Sequence, residues 1–153
     1  DLENLRTRET FADDFHLNRL EKIERKLGQD SIEFLWDYPV EMAALSKRKE
    51  NNPQYCERFE SYWNGFELAN AFGELTDPIE QKQRFLEDQK NRQKLYPNEI
   101  PPEIDEEILD ALGKIQTPCA GIALGIDRLL QCILEKATIQ EVLLFPKQAK
   151  LEK

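Results

Sequence analysis

Apolar positions set the first outline of the chain. Phe11, Phe15, Leu20, Ile23 and Leu27 recur at helical spacing and predict a helix from about Thr10 to Leu27. Thr10 is placed to cap it, Asp13 and Asp14 suit its first turn, and Gly28 is a natural stop. Ser31 to Trp36 reads as a strand closed by Tyr38-Pro39. Ser46 to Pro53 has no apolar period and reads as a solvated loop, although it carries the basic run Lys47-Arg48-Lys49. Arg58 to Trp63 and Phe66 to Phe72 are both strand-like, and Asn64-Gly65 joins them. Asn-Gly is favoured in a type I′ turn, where both central residues need positive φ, so an antiparallel hairpin is expected.

Further on, Asp77-Pro78 opens a helix that runs to about Leu95. Its apolar residues, Ile79, Phe85 and Leu86, are few, so most of it is expected to face water. Tyr96 to Pro102 is proline-rich and reads as a loop. Asp105 to Leu112 predicts a short helix ended by Gly113. Thr117 to Gly125 predicts a small-residue strand, and Asp127 to Glu135 an apolar helix using Leu129, Leu130, Ile133 and Leu134. Glu141 to Phe145 reads as a last strand stopped by Pro146. The alternation is too irregular for a doubly wound fold, so the expected class is α+β, an antiparallel β-sheet with flanking helices.

Charge narrows the function classes. The net charge of −9 disfavours a stand-alone nucleic-acid binder, which gains affinity by neutralising phosphates. It is compatible with a cationic substrate such as lysine, but most acidic domains are simply soluble. Cys56, Cys119 and Cys132 are odd in number, far apart and form no CxxC pair, so each is read as a small buried hydrophobe. His16 stands alone on its helix and is read as structural. No apolar run reaches the length of a membrane span and no signal-peptide pattern opens the chain, so a cytoplasmic location is expected.

Two segments could carry chemistry. In Phe66 to Asp77, strand alternation puts Asn70, Phe72 and Glu74 on one face. An amide, a ring and a carboxylate in a row suit a ligand with an alkyl stem and an ammonium head. Glu67 is out of phase with Glu74, so the two meet one ligand only if the strand bulges or bends. Convergent carboxylates could hold Mg²⁺; the alternative is an edge strand with polar residues facing water. In Cys119 to Leu129, Gly121, Ala123 and Gly125 leave one face nearly bare, and Arg128 sits in the first turn of a helix against the dipole. That points to an anionic partner, or else to tight strand–helix packing with an exposed arginine.

Cys119-Ala-Gly-Ile-Ala-Leu-Gly-Ile-Asp-Arg-Leu-Leu resembles motif 3 of class II aminoacyl-tRNA synthetases. Arg58-Phe-Glu and Glu67-Leu-Ala-Asn-Ala-Phe-Gly-Glu-Leu-Thr-Asp are similar to the lysine-pocket strands of the lysyl-tRNA synthetase group. Asp37-Tyr-Pro, Gln83-Arg-Phe and Glu141-Val-Leu-Leu-Phe-Pro agree at the flanks. Within that group, Glu67-Leu-Ala-Asn and Ala123 resemble the ligases that attach lysine or β-lysine to elongation factor P.

The resemblance implies ATP-dependent activation of lysine or β-lysine as an adenylate, with transfer to elongation factor P, or to tRNA as the alternative. It implies that Glu67, the Leu68 backbone, Gly125 and Arg128 contact ATP, and that Arg128 is catalytic. Asn70, Phe72, Glu74 and Ala123 would line the substrate pocket, and Glu67 and Glu74 would bind the metal, Mg²⁺. Ala123 is linked to a preference for β-lysine. Ala71 stands where the family has glycine, which predicts a narrowed pocket or a strained strand; Gly73 replaces a His or Ser. Motifs 1 and 2 are not found, so residues 1–153 are expected to be the C-terminal half of a class II synthetase-like catalytic domain, inactive alone, from a homodimeric parent. A non-catalytic lysine-binding or protein-interaction paralogue is the reading of a different class.

Overall fold

A computed structural model describes residues 21–42 and 45–146. Most of the helix expected from Thr10, and His16 with it, lies outside the described residues. Its end is seen as α1 (Glu21–Glu24) and a turn that stops at Gly28. Gly28 has φ 70°, and a Cβ there would press on the Tyr62–Trp63 backbone, coming within 2.6 Å of Trp63 Cα. Only glycine fits this left-handed, close-packed position.

One antiparallel sheet organises the chain, in the order β1 (Glu33–Trp36), β2 (Arg58–Trp63), β3 (Phe66–Gly73) and β4 (Ala120–Leu124). The β2–β3 turn has φ 52° at Asn64 and 74° at Gly65, the signs a type I′ turn requires. The pairing then slips. Tyr62 faces Glu67, but Ser61 faces Ala69, so Leu68 is an extra residue in β3 and forms a bulge.

Cross-strand pairing gives each face its character. On one face Leu35, Glu60, Asn70 and Ala123 form a row across all four strands, flanked by the rows Arg58–Phe72–Gly121 and Glu33–Tyr62–Glu67. On the other face the rows are Trp36–Phe59–Ala71–Ile122 and Phe34–Ser61–Ala69–Leu124. The first face carries most of the polar residues, with Glu60 and Tyr62 buried on it, and the second is mainly apolar. Phe34, Trp36, Ile122 and Leu124 on that second face stay largely exposed.

The helices match the capping signals. Asp77 accepts from the N–H groups of Ile79 and Glu80 at the start of α2 (Pro78–Leu95). Only Gln81 of this helix is buried, as its sparse apolar pattern predicts. Asp105 caps α3 (Glu106–Leu112) in the same way, and Gly113 ends it.

Three expectations need correction. The segment after Ser46 is not a free solvated loop. Ser46 is fully buried, and its neighbours Lys47, Arg48 and Lys49 pair with Glu57, Glu80 and Asp37 at 3.1, 2.9 and 2.6 Å. The basic run is a clasp between elements. Residues 141–145 form no strand: Ile139–Glu141 is a 3-10 turn closed by a Thr138/Glu141 capping box, and Leu144 and Phe145 are exposed. The expected apolar helix is present as α4 (Ile126–Ile133); Leu129 is half-buried, Leu130, Ile133 and Leu134 are exposed, and Gln131 and Cys132 are buried. Cys56 and Cys132 are buried as expected, but Cys119 is exposed beside the edge strand β4.

Candidate functional site

The polar sheet face is built around Glu60, which is 4% exposed. Its Oε1 accepts from Arg58 Nη2 at 2.5 Å and Asn70 Nδ2 at 3.0 Å. Its Oε2 accepts from Tyr62 Oη at 2.5 Å and from the Tyr38 hydroxyl. A buried carboxylate is tolerated when its lone pairs are this fully used. Burial, followed by the hydrogen bond and the charge of Glu60, pushes both phenols far above the ordinary tyrosine range.

Arg58 completes the web. Its Nη1 donates to the Met42 carbonyl at 2.6 Å and its Nε to Asn70 Oδ1 at 3.3 Å. The guanidinium lies 4.3 Å from the Tyr38 ring centroid and 5.5 Å from that of Phe72, within cation–π range. The Asn70 amide is therefore held from both ends, with one N–H and part of its carbonyl left for a ligand.

The bulge at Leu68 brings this about. A two-residue hairpin continued without slippage would pair Glu60 with Ala69 and turn Asn70 to the opposite face. The extra residue sets Asn70 and Phe72 on the face of Glu60 and Arg58 while keeping Glu67 there too.

Asn70, Phe72 and Glu74 share this face. Glu74 follows the end of β3, its N–H held by the Cys119 carbonyl at 3.0 Å. Its Oε1 fills the space beside Gly121, where a Cβ would come within 2.5 Å of it. Ala123 is the cross-strand neighbour of Asn70. At a rise of about 3.3 Å per residue, Glu67 and Glu74 stand roughly 20 Å apart along β3. The carboxylate beside Glu67 is Glu60: burial first and the Glu60 charge next raise the Glu67 carboxyl above its usual range.

Gly125 and Arg128 meet the other end of β3. Gly125 N–H donates to the Leu68 carbonyl at 2.8 Å. A Cβ on Gly125 would make only ordinary contacts, at 3.5 Å or more, so internal packing does not demand glycine there. Arg128 Nη1 donates to the Glu67 carbonyl at 2.8 Å and lies 3.7 Å from Glu67 Oε2. Glu67 and Arg128 line a hollow of about 470 Å³ with Glu24, Gln131 and Thr138. A slightly larger hollow of about 540 Å³, between α2 and α3, contains none of the site residues.

The two departures from the family pattern are local. Ala71 faces the apolar side with Phe59 and Ile122, and its φ is not positive, so its methyl neither narrows the polar face nor strains the strand. At Gly73 a Cβ would meet Glu57 Cβ at 3.0 Å and Lys47 Cε at 3.1 Å; that ion pair occupies the room a side chain would take. Sequence reasoning missed Glu60, Tyr38 and Tyr62 as site residues. The Arg58-Phe59-Glu60 alternation was visible, but the register that turns it toward Asn70 depends on the bulge.

Comparison with known proteins places these features. Residues 9–149 match the family model for class II tRNA synthetases (D, K and N). A lysine–tRNA ligase of Thermoanaerobacter sp. (strain X514) is 43% identical over 126 residues, covering 82% of this chain and 24% of that protein. A lysine–tRNA ligase of Clostridium tetani (strain Massachusetts / E88) is 41% identical over 137 residues, covering 90% of this chain and 26% of the relative. An elongation factor P–(R)-beta-lysine ligase of Buchnera aphidicola subsp. Acyrthosiphon pisum (strain APS) is 42% identical over 125 residues, covering 82% and 38%. The chain thus spans between 24% and 38% of the length of these relatives.

Proposed function

The chain belongs to the class II tRNA synthetase family (D, K and N), and from that premise we propose that its full-length gene product activates lysine or β-lysine with ATP and transfers it to elongation factor P. The observation that carries this reading is the row of Asn70, Phe72 and Glu74 facing the bare edge of Gly121 and Ala123. An aliphatic stem packs on the Phe72 ring, the ammonium head pairs with Glu74, and Asn70 offers hydrogen bonds to the polar end. Ala123, beside Asn70, trims the space there and sets the lean toward β-lysine. At the other end Gly125 leaves room for adenine, and Arg128 turns from Glu67 to the phosphates. Glu67 and the Leu68 backbone complete the nucleotide side.

Glu67 suits a cation that accompanies ATP. It shares the sheet face with Glu60, and burial first and the Glu60 charge next raise its carboxyl, which a nearby divalent charge would relieve. Mg²⁺ bound there would neutralise phosphate charge. Glu74 is left to the substrate ammonium. The chain's own residues bind and orient: a substrate carboxylate oxygen attacks the α-phosphorus in line, the new P–O bond forms, and pyrophosphate leaves with the electrons of the broken bond.

The relatives include both acceptor types at near-equal identity, so lysyl transfer to tRNA is the second reading. Incubating the full-length gene product with labelled lysine or β-lysine and either acceptor separates them. Label on elongation factor P and none on tRNA supports the proposal; the reverse supports the tRNA ligase. Lysine binding without turnover would leave the non-catalytic paralogue.

A further inference from the structure

Glu60 is held through two different oxygens by two different sets of donors. Asn70 and Arg58 take Oε1, and the phenols of Tyr38 and Tyr62 take Oε2. Donors on Oε1 alone would leave the carboxylate able to turn about its last bond. Donors on both oxygens fix it, and with it the Asn70 amide. The phenols are themselves pinned: Tyr62 is 1% and Tyr38 2% exposed. Tyr38 reaches its place because Asp37, at φ 59°, turns the chain inward after β1, a left-handed geometry aspartate tolerates better than most residues. The Lys49–Asp37 ion pair at 2.6 Å holds that turn.

We propose that Tyr38 and Tyr62 are positioning residues of this site, a phenolic clamp that orients Glu60 and, through it, the substrate-facing Asn70. The proposal deepens the lysine-activation reading and rests on it for its kinetic part. The clamp needs both phenols to remain proton donors. The charged groups around them are Glu60 and Arg58 from β2, with Glu24 from α1 3.2 Å from Tyr62 Oη, and Glu33 and Glu67 opposite Tyr62 on the neighbouring strands. Acids outnumber the single arginine there, and burial adds to them, so ionisation of either phenol is disfavoured.

The test uses Tyr38→Phe and Tyr62→Phe in the full-length gene product, with two readouts. In an alkaline titration followed by phenolate absorbance, the clamp predicts that wild type and each variant superimpose up to about pH 11, because the deleted phenol did not ionise. One more phenol titrating near pH 10 in wild type overturns the clamp. In lysine-dependent ATP–pyrophosphate exchange, each variant should raise KM for lysine roughly tenfold, as for a lost hydrogen bond to a charged group, with KM for ATP unchanged. An equal rise of both constants, or no rise for lysine, overturns the positioning role. If wild type shows no lysine-dependent exchange while the phenols stay silent to base, the functional reading fails and the clamp stands.

Discussion

Replacing Glu60 by glutamine removes one negative charge from a buried four-donor site without shortening the side chain. Its partner Arg58 is 14% exposed in its side chain and Glu60 6%, with the pair at 2.5 Å. The glutamine can place its amide nitrogen toward the phenols, whose oxygens can accept, and keep its carbonyl toward Arg58 and Asn70. The hydrogen-bond count is then largely kept, and the main loss is the compensation of the Arg58 charge. Breaking one side of a buried pair costs about 3–5 kcal/mol. For a domain of this size that lowers Tm by roughly 6–20 °C. Glu57→Gln is the control: its pair with Lys47 is 34% and 36% exposed, and the expected cost is about 0–1 kcal/mol. Thermal and urea unfolding followed by circular dichroism, on both variants at pH 7, measures the contrast. An E60Q loss below about 1 kcal/mol, or equal losses in the two variants, would refute the claim that the site is organised by a buried charge pair.

Three further outcomes follow from the same geometry. Burial acts to raise the Glu80 carboxyl, but hydrogen bonds from Arg84 and Arg48 outweigh it and hold it below the usual range. Its stabilisation is therefore present above the unfolded carboxyl value and lost as pH falls through the folded one; Glu80→Gln should cost about 1–2 kcal/mol at pH 7, fading below about pH 4, in urea unfolding across pH. Glu67 has the opposite sign: its carboxyl is raised, so its ionisation opposes folding, and Glu67→Gln should stabilise above about pH 5 by a fraction of a kcal/mol and not at lower pH. Adding Mg²⁺ should then raise Tm in wild type and less in the variant. Gly121→Ala puts a methyl 2.5 Å from Glu74 Oε1, a flexible side-chain end, so unfolding should move by less than about 1 kcal/mol while KM for lysine rises roughly tenfold in exchange assays.

Local chemistry was legible where one or two residues decide the backbone. Asn64-Gly65 specified the hairpin, Asp77-Pro78 and Asp105 specified two helix starts, and Gly28 specified a stop. The alternation of Asn70, Phe72 and Glu74 also read correctly, since period two needs no partner. The bulge at Leu68 was not legible as a position: its need was inferable from the odd spacing of Glu67 and Glu74, but no residue marks it. Glu60 escaped for the same reason, because its role depends on register. Glu141 to Phe145 misled because an apolar run says nothing about whether a strand edge is available to pair with it, and here the Thr138–Glu141 capping box takes the chain into a turn. The apolar spacing of α4 was legible, yet burial is a property of neighbours that those residues do not encode.

ATP–pyrophosphate exchange by the full-length gene product, run with lysine, β-lysine, aspartate and asparagine in parallel, addresses the site most directly, because the family spans ligases for these amino acids. Exchange driven by lysine or β-lysine alone, and abolished by replacing Glu74 with glutamine, is the outcome the Asn70–Phe72–Glu74 face predicts. Exchange driven by aspartate or asparagine, or lysine-driven exchange indifferent to Glu74, would contradict it.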